Sequence, residues 1–146
     1  MTTQVEYIRQ LTCFKDLSID DQNAIAKISD AVCYPPGYLL FREGEKAQKI
    51  YLIVKGQAEA TFNIGEEGEV RVETISDNQI AGCSALPLPH HYSATEHSLT
   101  DIEVLEIDIE ALQKLIGENC QLGLRLYESI IKFLTRRILE LRLASL

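Results

Sequence analysis

The chain is short of positive charge: 14 lysines and arginines face 22 aspartates and glutamates over 146 residues, a net charge of −8. Nonspecific nucleic-acid binding needs a basic surface that releases phosphate counterions, so this balance argues against a nucleic-acid partner for this chain alone. Long apolar runs are also missing. None approaches the roughly 20 residues that span a bilayer, and the opening MTTQVEYIRQL lacks the basic-then-apolar order of a secretory signal. A soluble, cytoplasmic protein with no membrane partner is expected. No Cys-x-x-Cys pair occurs among Cys13, Cys33, Cys83 and Cys120, which removes the usual zinc and thioredoxin arrangements. Reduced thiols acting as small hydrophobes are expected instead, with no metal ligands assigned. Nucleophile elbows, triphosphate loops and zinc-hydrolase motifs are absent too. His90, His91 and His97 have no evident nucleophile beside them, so no catalytic residue is assigned and an enzyme is not expected.

What is present supports one folded domain over residues 1–146, since 46% of the chain is hydrophobic. Residues 4–15 and 20–31 read as helices, the second with Ser18 as its cap and Ile25, Ile28 and Val32 on one face. Pro35 and Pro36 end it. From about 38 to 108 the segments KIYLIVKG, QAEATFNI, EVRVETI and DIEVLEIDI are short, β-branched and broken by glycines. IGEEGE at 64–69 is a hairpin signal. From about 109 to 146 the pattern is helical again, with IEALQKLIGEN stopping near Gly117 before a long terminal helix. The expected class is α+β: an antiparallel β-roll or jelly-roll barrel flanked by N-terminal helices and a long C-terminal helix.

That last helix carries two apolar rows. Leu124, Tyr127, Ile131, Leu134, Ile138 and Leu141 follow alternating spacings of three and four, a heptad seam. Leu122, Leu126, Ile130 and Phe133 lie on a neighbouring face. One row can pack on the roll while the seam meets a second copy, so a homodimer through this helix is expected. The alternative is one helix burying a wide face in its own domain.

The order of elements, with Gly37, Gly44-Glu45, Ala47, Tyr51, Ile53 and Gly56 in the front half and NQIAGCSAL then YSATEHSLTDIEVLEID in the back half, resembles the cyclic nucleotide-binding domain. This is the regulatory module of catabolite-activator-type transcription factors, cyclic-nucleotide-dependent kinases and related channels. The resemblance covers essentially the whole chain and implies that residues 80–95 form a phosphate-binding cassette. In the family that cassette runs F-G-E-[LI]-A-L and then R-[SA]-A-T. Its glycine admits the ligand's close approach, helix-start amides meet the phosphate, the arginine supplies charge, and the glutamate accepts from the ribose.

Gly82, Ala85, Leu86, Ser93, Ala94 and Thr95 keep that pattern's backbone grammar, whereas Cys83 stands at the glutamate position and Tyr92 at the arginine position. Gly82, Cys83, Ser84, Ala85, Tyr92, Ser93 and Thr95 are therefore the candidate ligand residues that the resemblance implies. A thiol accepts poorly, and a tyrosine cannot neutralise phosphate. Charge-assisted hydrogen bonds contribute about 1.5–3 kcal/mol against roughly 1 for neutral ones. Losing both contacts thus predicts cyclic-nucleotide binding weaker by roughly 100-fold or more. His90 and His91 are the neighbours that could compensate, and the stretch 135–138 of the terminal helix lies at the depth where the family's helix lines the ligand. No cofactor is required.

The expected function is a regulatory small-ligand-sensing module with weak or lost cyclic AMP and cyclic GMP binding. The alternative is a ligand-free dimerising scaffold for a protein partner. A DNA-binding regulator is disfavoured, because no basic recognition helix follows RLASL.

Overall fold

Ser18 caps a helix as expected: its Oγ accepts from the Asp21 backbone N–H at 3.1 Å, one of the donors that a helix start leaves unpaired. In the computed structural model, which describes residues 4–64 and 69–144, this helix is α2 (Ile19–Lys27), preceded by α1 (Gln4–Gln10). Both helices are shorter than the periodicity suggests. After Gln10 the chain turns rather than continuing, and Leu11, Cys13, Phe14 and Leu17 are all buried along those turns. The buried Gln22 amide donates to the Phe14 carbonyl at 3.0 Å and holds the turn against α2.

The larger correction lies at residues 29–34. The expected helix to residue 31 stops at Lys27, and Ser29–Tyr34 form a strand, β1. The cause is tertiary. Strand β8 (Ile102–Asp108) offers a complete ladder, and all six residues of β1 pair with it from Ser29 opposite Ile107 to Tyr34 opposite Ile102. Val32, expected on the helical face, therefore lies opposite Val104. The roll begins at residue 29 rather than about 38.

The remaining strands are β2 (Leu39–Phe41), β3 (Lys49–Lys55), β4 (Ala58–Ile64), β5 (Glu69–Ile75), β6 (Ile80–Ala81) and β7 (Thr95–Ser98). They form two four-stranded sheets, ordered β1-β8-β3-β6 and β2-β7-β4-β5, with every pairing antiparallel. Strands β4 and β5 pair from Ala58–Ile75 to Ile64–Glu69. The turn of the expected IGEEGE hairpin lies outside the described residues. Phe41 of one sheet stacks on Tyr51 of the other, with ring centroids 5.7 Å apart, so these side chains mark the roll's interior. The chain thus has the expected α+β architecture, a β-roll with helices at both ends.

Helix α3 (Ile109–Glu118) starts at Asp108, whose carboxylate accepts from the Ala111 N–H at 2.8 Å. Helix α4 (Cys120–Ala144) follows after Asn119. A Cβ on Gly123 would lie 2.5 Å from Ile116 Cγ2, so only glycine lets the two helices cross this closely. Leu122, Leu126 and Ile130 of α4 are buried in the common core with Leu52, Leu105 and Leu112, and Phe133 packs on that core from its edge.

Candidate ligand site in the roll

The cassette segment leaves the sheet at β6, where Ala81 pairs with Tyr51. Gly82 then takes a left-handed conformation with φ +84°, and a Cβ there would sit 3.0 Å from Cε1 of Tyr92. Cys83–Ala85 form one turn of 3-10 helix. The strand-loop-strand path returns through Ser93 to Thr95 at the start of β7. Two hydrogen bonds brace this path: within it the Ser93 N–H donates to Ser84 Oγ at 3.3 Å, and from the front-half loop the Glu43 N–H donates to Thr95 Oγ1 at 3.0 Å. The front-half loop joins in, with the Gly44 N–H on the Tyr92 carbonyl at 2.8 Å and the Tyr92 N–H on the Glu45 carbonyl at 3.1 Å. The structure therefore brings Gly82, Ser84, Tyr92, Ser93 and the Gly44-Glu45 loop together.

Tyr92 is only 5% exposed. Its ring stacks on Phe41 with centroids 3.9 Å apart and planes 13° apart, and its hydroxyl donates to the Lys49 carbonyl at 2.5 Å. Burial raises its pKa, so the phenol stays neutral. The side chain at the cassette's arginine position is thus a wall of the roll rather than a free anion receptor. Cys83 is half-buried against the core, and burial pushes its thiol pKa up. Ala85 is fully buried. His90 places Nδ1 2.7 Å from the Ala85 carbonyl oxygen, and the backbone of the exposed His91 forms an isolated antiparallel β-bridge with that of Lys46. Among the described residues no group of three His, Cys, Asp or Glu side chains is arranged for a metal ion.

Glu96 is the residue that sequence reading passed over. It is 3% exposed on β7, directly opposite Ala60 of β4 and Phe41 of β2. Directly paired residues share a face, so its side chain belongs to the interior with Phe41. Its Oε1 is the one buried side-chain polar atom among the described residues without a hydrogen-bond partner. Burial, and secondarily the nearby Glu73 charge, raise its pKa to about 8. A sequence signal existed: in SATEHS, Glu96 shares the parity of Ala94 and Ser98, the face that burial selects.

Glu73 lies opposite Ala60 on β5 and is held by Arg137 of α4, whose Nη2 is 3.2 Å from Glu73 Oε1. The same guanidinium donates to the Thr74 carbonyl at 3.3 Å. Within the stretch 135–138, the residue that reaches the roll is therefore Arg137. At the opposite sheet, the buried Glu106 accepts from Lys49 Nζ at 2.9 Å and from the Tyr34 hydroxyl.

On α4 the seam divides from the packed row. Leu124 and Ile131 are 69% and 61% exposed, and Leu134, Ile138 and Leu141 are exposed as well. Tyr127 departs from the seam, packing partly against the core while its hydroxyl accepts from the Gln113 amide at 3.4 Å. An open groove of about 590 Å³ runs between α4, residues 12–17 and the turn 77–79. It contains none of the cassette residues. No helix among the described residues is long and apolar enough to cross a membrane.

Two sheets close into a roll, with a glycine-led turn between β6 and β7 and a long helix reaching back over β5. The chain belongs to the cyclic nucleotide-binding domain family, whose model matches residues 31–119. It is 28% identical over 116 residues to a cGMP-dependent protein kinase (egl-4) of Caenorhabditis briggsae, covering 78% of this chain and 16% of that one. To a cAMP-dependent protein kinase regulatory subunit of Colletotrichum orbiculare it is 26% identical over 112 residues, 77% of this chain and 28% of the relative. The chain thus spans less than a third of either relative. Its fold is similar to that of a cyclic nucleotide-binding domain from Methylobacillus flagellatus, with a TM-score of 0.79, 19% identity, and coverage of 94% and 77% of the two chains.

Proposed function

We propose that this chain is a cytoplasmic, non-catalytic regulatory module that senses a small ligand in its roll and has weak or lost affinity for cyclic AMP and cyclic GMP. The observation that carries this reading is Tyr92, buried and stacked on Phe41 where the family cassette has an arginine. A neutral phenol committed to the Lys49 carbonyl brings no charge to a phosphate, and Cys83 offers a poor acceptor to a ribose hydroxyl. Occupancy would be read by α4 through Arg137 and Glu73, as a shift between two positions of that helix. Isothermal titration with both cyclic nucleotides is expected to show no binding at micromolar concentrations. Micromolar binding of either one overturns the reading.

The second reading, a dimerising scaffold for a protein partner, is favoured by the exposed row Leu124, Ile131, Leu134, Ile138 and Leu141. A homodimer through α4 is compatible with both readings. Ile131→Asp combined with Ile138→Asp is expected to convert the dimer to monomer in sedimentation equilibrium while leaving the helical signal intact. The double substitution Cys83→Glu and Tyr92→Arg separates the readings: gained nucleotide affinity favours the sensor, and a folded variant that gains none favours the scaffold.

A further inference from the structure

The open groove beside α4, about 590 Å³, has the size of a small-molecule site. Arg125, Ser129, Lys132 and Arg136 line one wall, and their spacings of four, three and four put them on one face of the helix. None of the apolar seam residues lines it. The buried Cys13 and Leu17 and the half-buried Phe133 give the lining an apolar part.

The chain carries a net charge of −8, yet five cations and four acids of the described residues line this groove. Most of those charges are committed. Arg125 holds Asp21 at 2.7 Å, Arg137 holds Glu73 and Glu140, and Asp77 Oδ1 accepts from the Gly56 N–H at 2.8 Å. Lys132 meets Glu128 at 3.9 Å with both side chains mostly exposed, a pair that contributes little. Among the described residues, Lys15, Arg136 and Asp16 are the lining charges whose side chains have no ion pair or hydrogen bond. The uncommitted charge is therefore positive by one, and a monoanion would balance it.

We propose that this groove binds a small organic monoanion, a carboxylate on a flat apolar body, with its head group at Arg136 and Lys132 and its body against Phe133 and Leu17. Lys132 and Arg136 are i,i+4 neighbours, close enough on a helix to share one head group, and the guanidinium fork matches a carboxylate. The site lies outside the roll, so it does not depend on what the roll binds. Its position still links it to the cassette. The Asn78 N–H donates to the Ile53 carbonyl at 2.8 Å and the Ile53 N–H to the Gln79 carbonyl at 2.9 Å, and the chain then enters β6 and Gly82. An anion held between this turn and α4 would fix the helix against the root of the cassette.

The test uses the full chain with 2-naphthoate, neutral 2-naphthamide and cationic 2-naphthylmethylammonium, near neutral pH and at low salt, by calorimetry. 2-Naphthoate is expected to bind in the millimolar range or tighter. It should bind roughly tenfold more tightly than the other two, the discrimination expected of one charge-assisted contact. Arg136→Gln is expected to erase that preference. The Arg136 side chain is exposed and unpaired among the described residues, so the fold should be kept, which circular dichroism checks. Lys114→Gln, on α3 outside the groove, is expected to leave the preference intact. Amide chemical-shift changes locate the probe and should be largest at residues 12–17, 77–79 and 125–137. No 2-naphthoate binding at millimolar concentrations, equal affinity for the three probes, or a preference that survives Arg136→Gln overturns the proposal. So does a preference lost in Lys114→Gln, or shifts centred on residues 82–95.

Discussion

Glu106 on β8 and Glu96 on β7 are buried to the same depth, 4% and 3% exposed, and each faces the roll interior from a different sheet. Glu106 lies opposite Tyr51 and accepts from Lys49 and Tyr34. The pairing is visible in its partners: the hydrogen bond to Glu106 is the largest cause raising the Lys49 pKa, and burial together with Glu106 raises that of Tyr34 well above its ordinary value. Glu96 has no such company. The contrast shows that burial does not decide what a carboxyl does in this roll. The first-sheet end is a finished structural network, and the second-sheet end is an acceptor left open. Tyr92 joins the two, with its hydroxyl on the Lys49 backbone and its ring on Phe41 opposite Glu96.

Removing that joint should have the largest effect. Tyr92→Ala deletes a buried ring from between Phe41 and Gly82, and aromatic-to-alanine changes in cores cost about 3–5 kcal/mol. Urea unfolding is expected to show a loss of about 4 kcal/mol. A loss below about 1 kcal/mol would mean that the two ends pack independently.

The next effect separates the carboxyls by pH. The folded-state pKa of Glu96, about 8, lies above its ordinary value of 4.5. The folded chain therefore holds this proton more tightly than the unfolded chain. The resulting stability is complete below about pH 4.5 and is lost as pH rises through about 8. Relative to Glu96→Gln, which cannot ionise, the parent protein should lose on the order of 3 kcal/mol between about pH 5 and pH 8.5. Paired unfolding curves at the two pH values check this. A constant difference between the two proteins would show that Glu96 finds a partner or water in solution.

How much of this was legible beforehand depends on which force placed each element. Strands β3, β4, β5 and β8 announce themselves by β-branched residues between glycines, and the division of α4 follows from two apolar rows in one helix. Strand β1 could not be read this way. SDAVCY is a plausible helix end until β8 supplies six partners, and such a ladder is a long-range fact. The cassette's backbone was legible through Gly82 and Ser93-Ala94-Thr95. The inward commitment of Tyr92 was not, because it depends on Phe41 and the Lys49 carbonyl, 51 and 43 positions away in the chain. For Glu96 the sequence held only its parity with Ala94 and Ser98, and a lone acid in a short strand reads as solvent-facing until the register fixes its face.

Making the finished end resemble the open one is the third experiment. Lys49→Met removes the only cation paired with Glu106 among the described residues. Because the Lys49 side chain is 42% exposed, solvent screening limits the loss, which is expected at about 1–2 kcal/mol near neutral pH. The loss should shrink at high salt, which screens this half-exposed pair in the parent protein. Unfolding at low and high salt reads it, and a salt-independent loss would mean that Lys49 contributes through its aliphatic stem instead.

The smallest effect divides Tyr92 itself. Tyr92→Phe keeps the ring on Phe41 and removes only the hydroxyl that donates to the Lys49 carbonyl. The Lys49 N–H also approaches that hydroxyl at 3.4 Å, so both groups of one backbone unit lose a contact. A neutral hydrogen bond of this kind contributes about 1 kcal/mol net, which is the expected loss in urea unfolding. The ratio of this loss to that of Tyr92→Ala then says what joins the two ends. A small fraction means the stack carries the connection. If the phenylalanine variant loses nearly as much as the alanine variant, the hydroxyl is the joint.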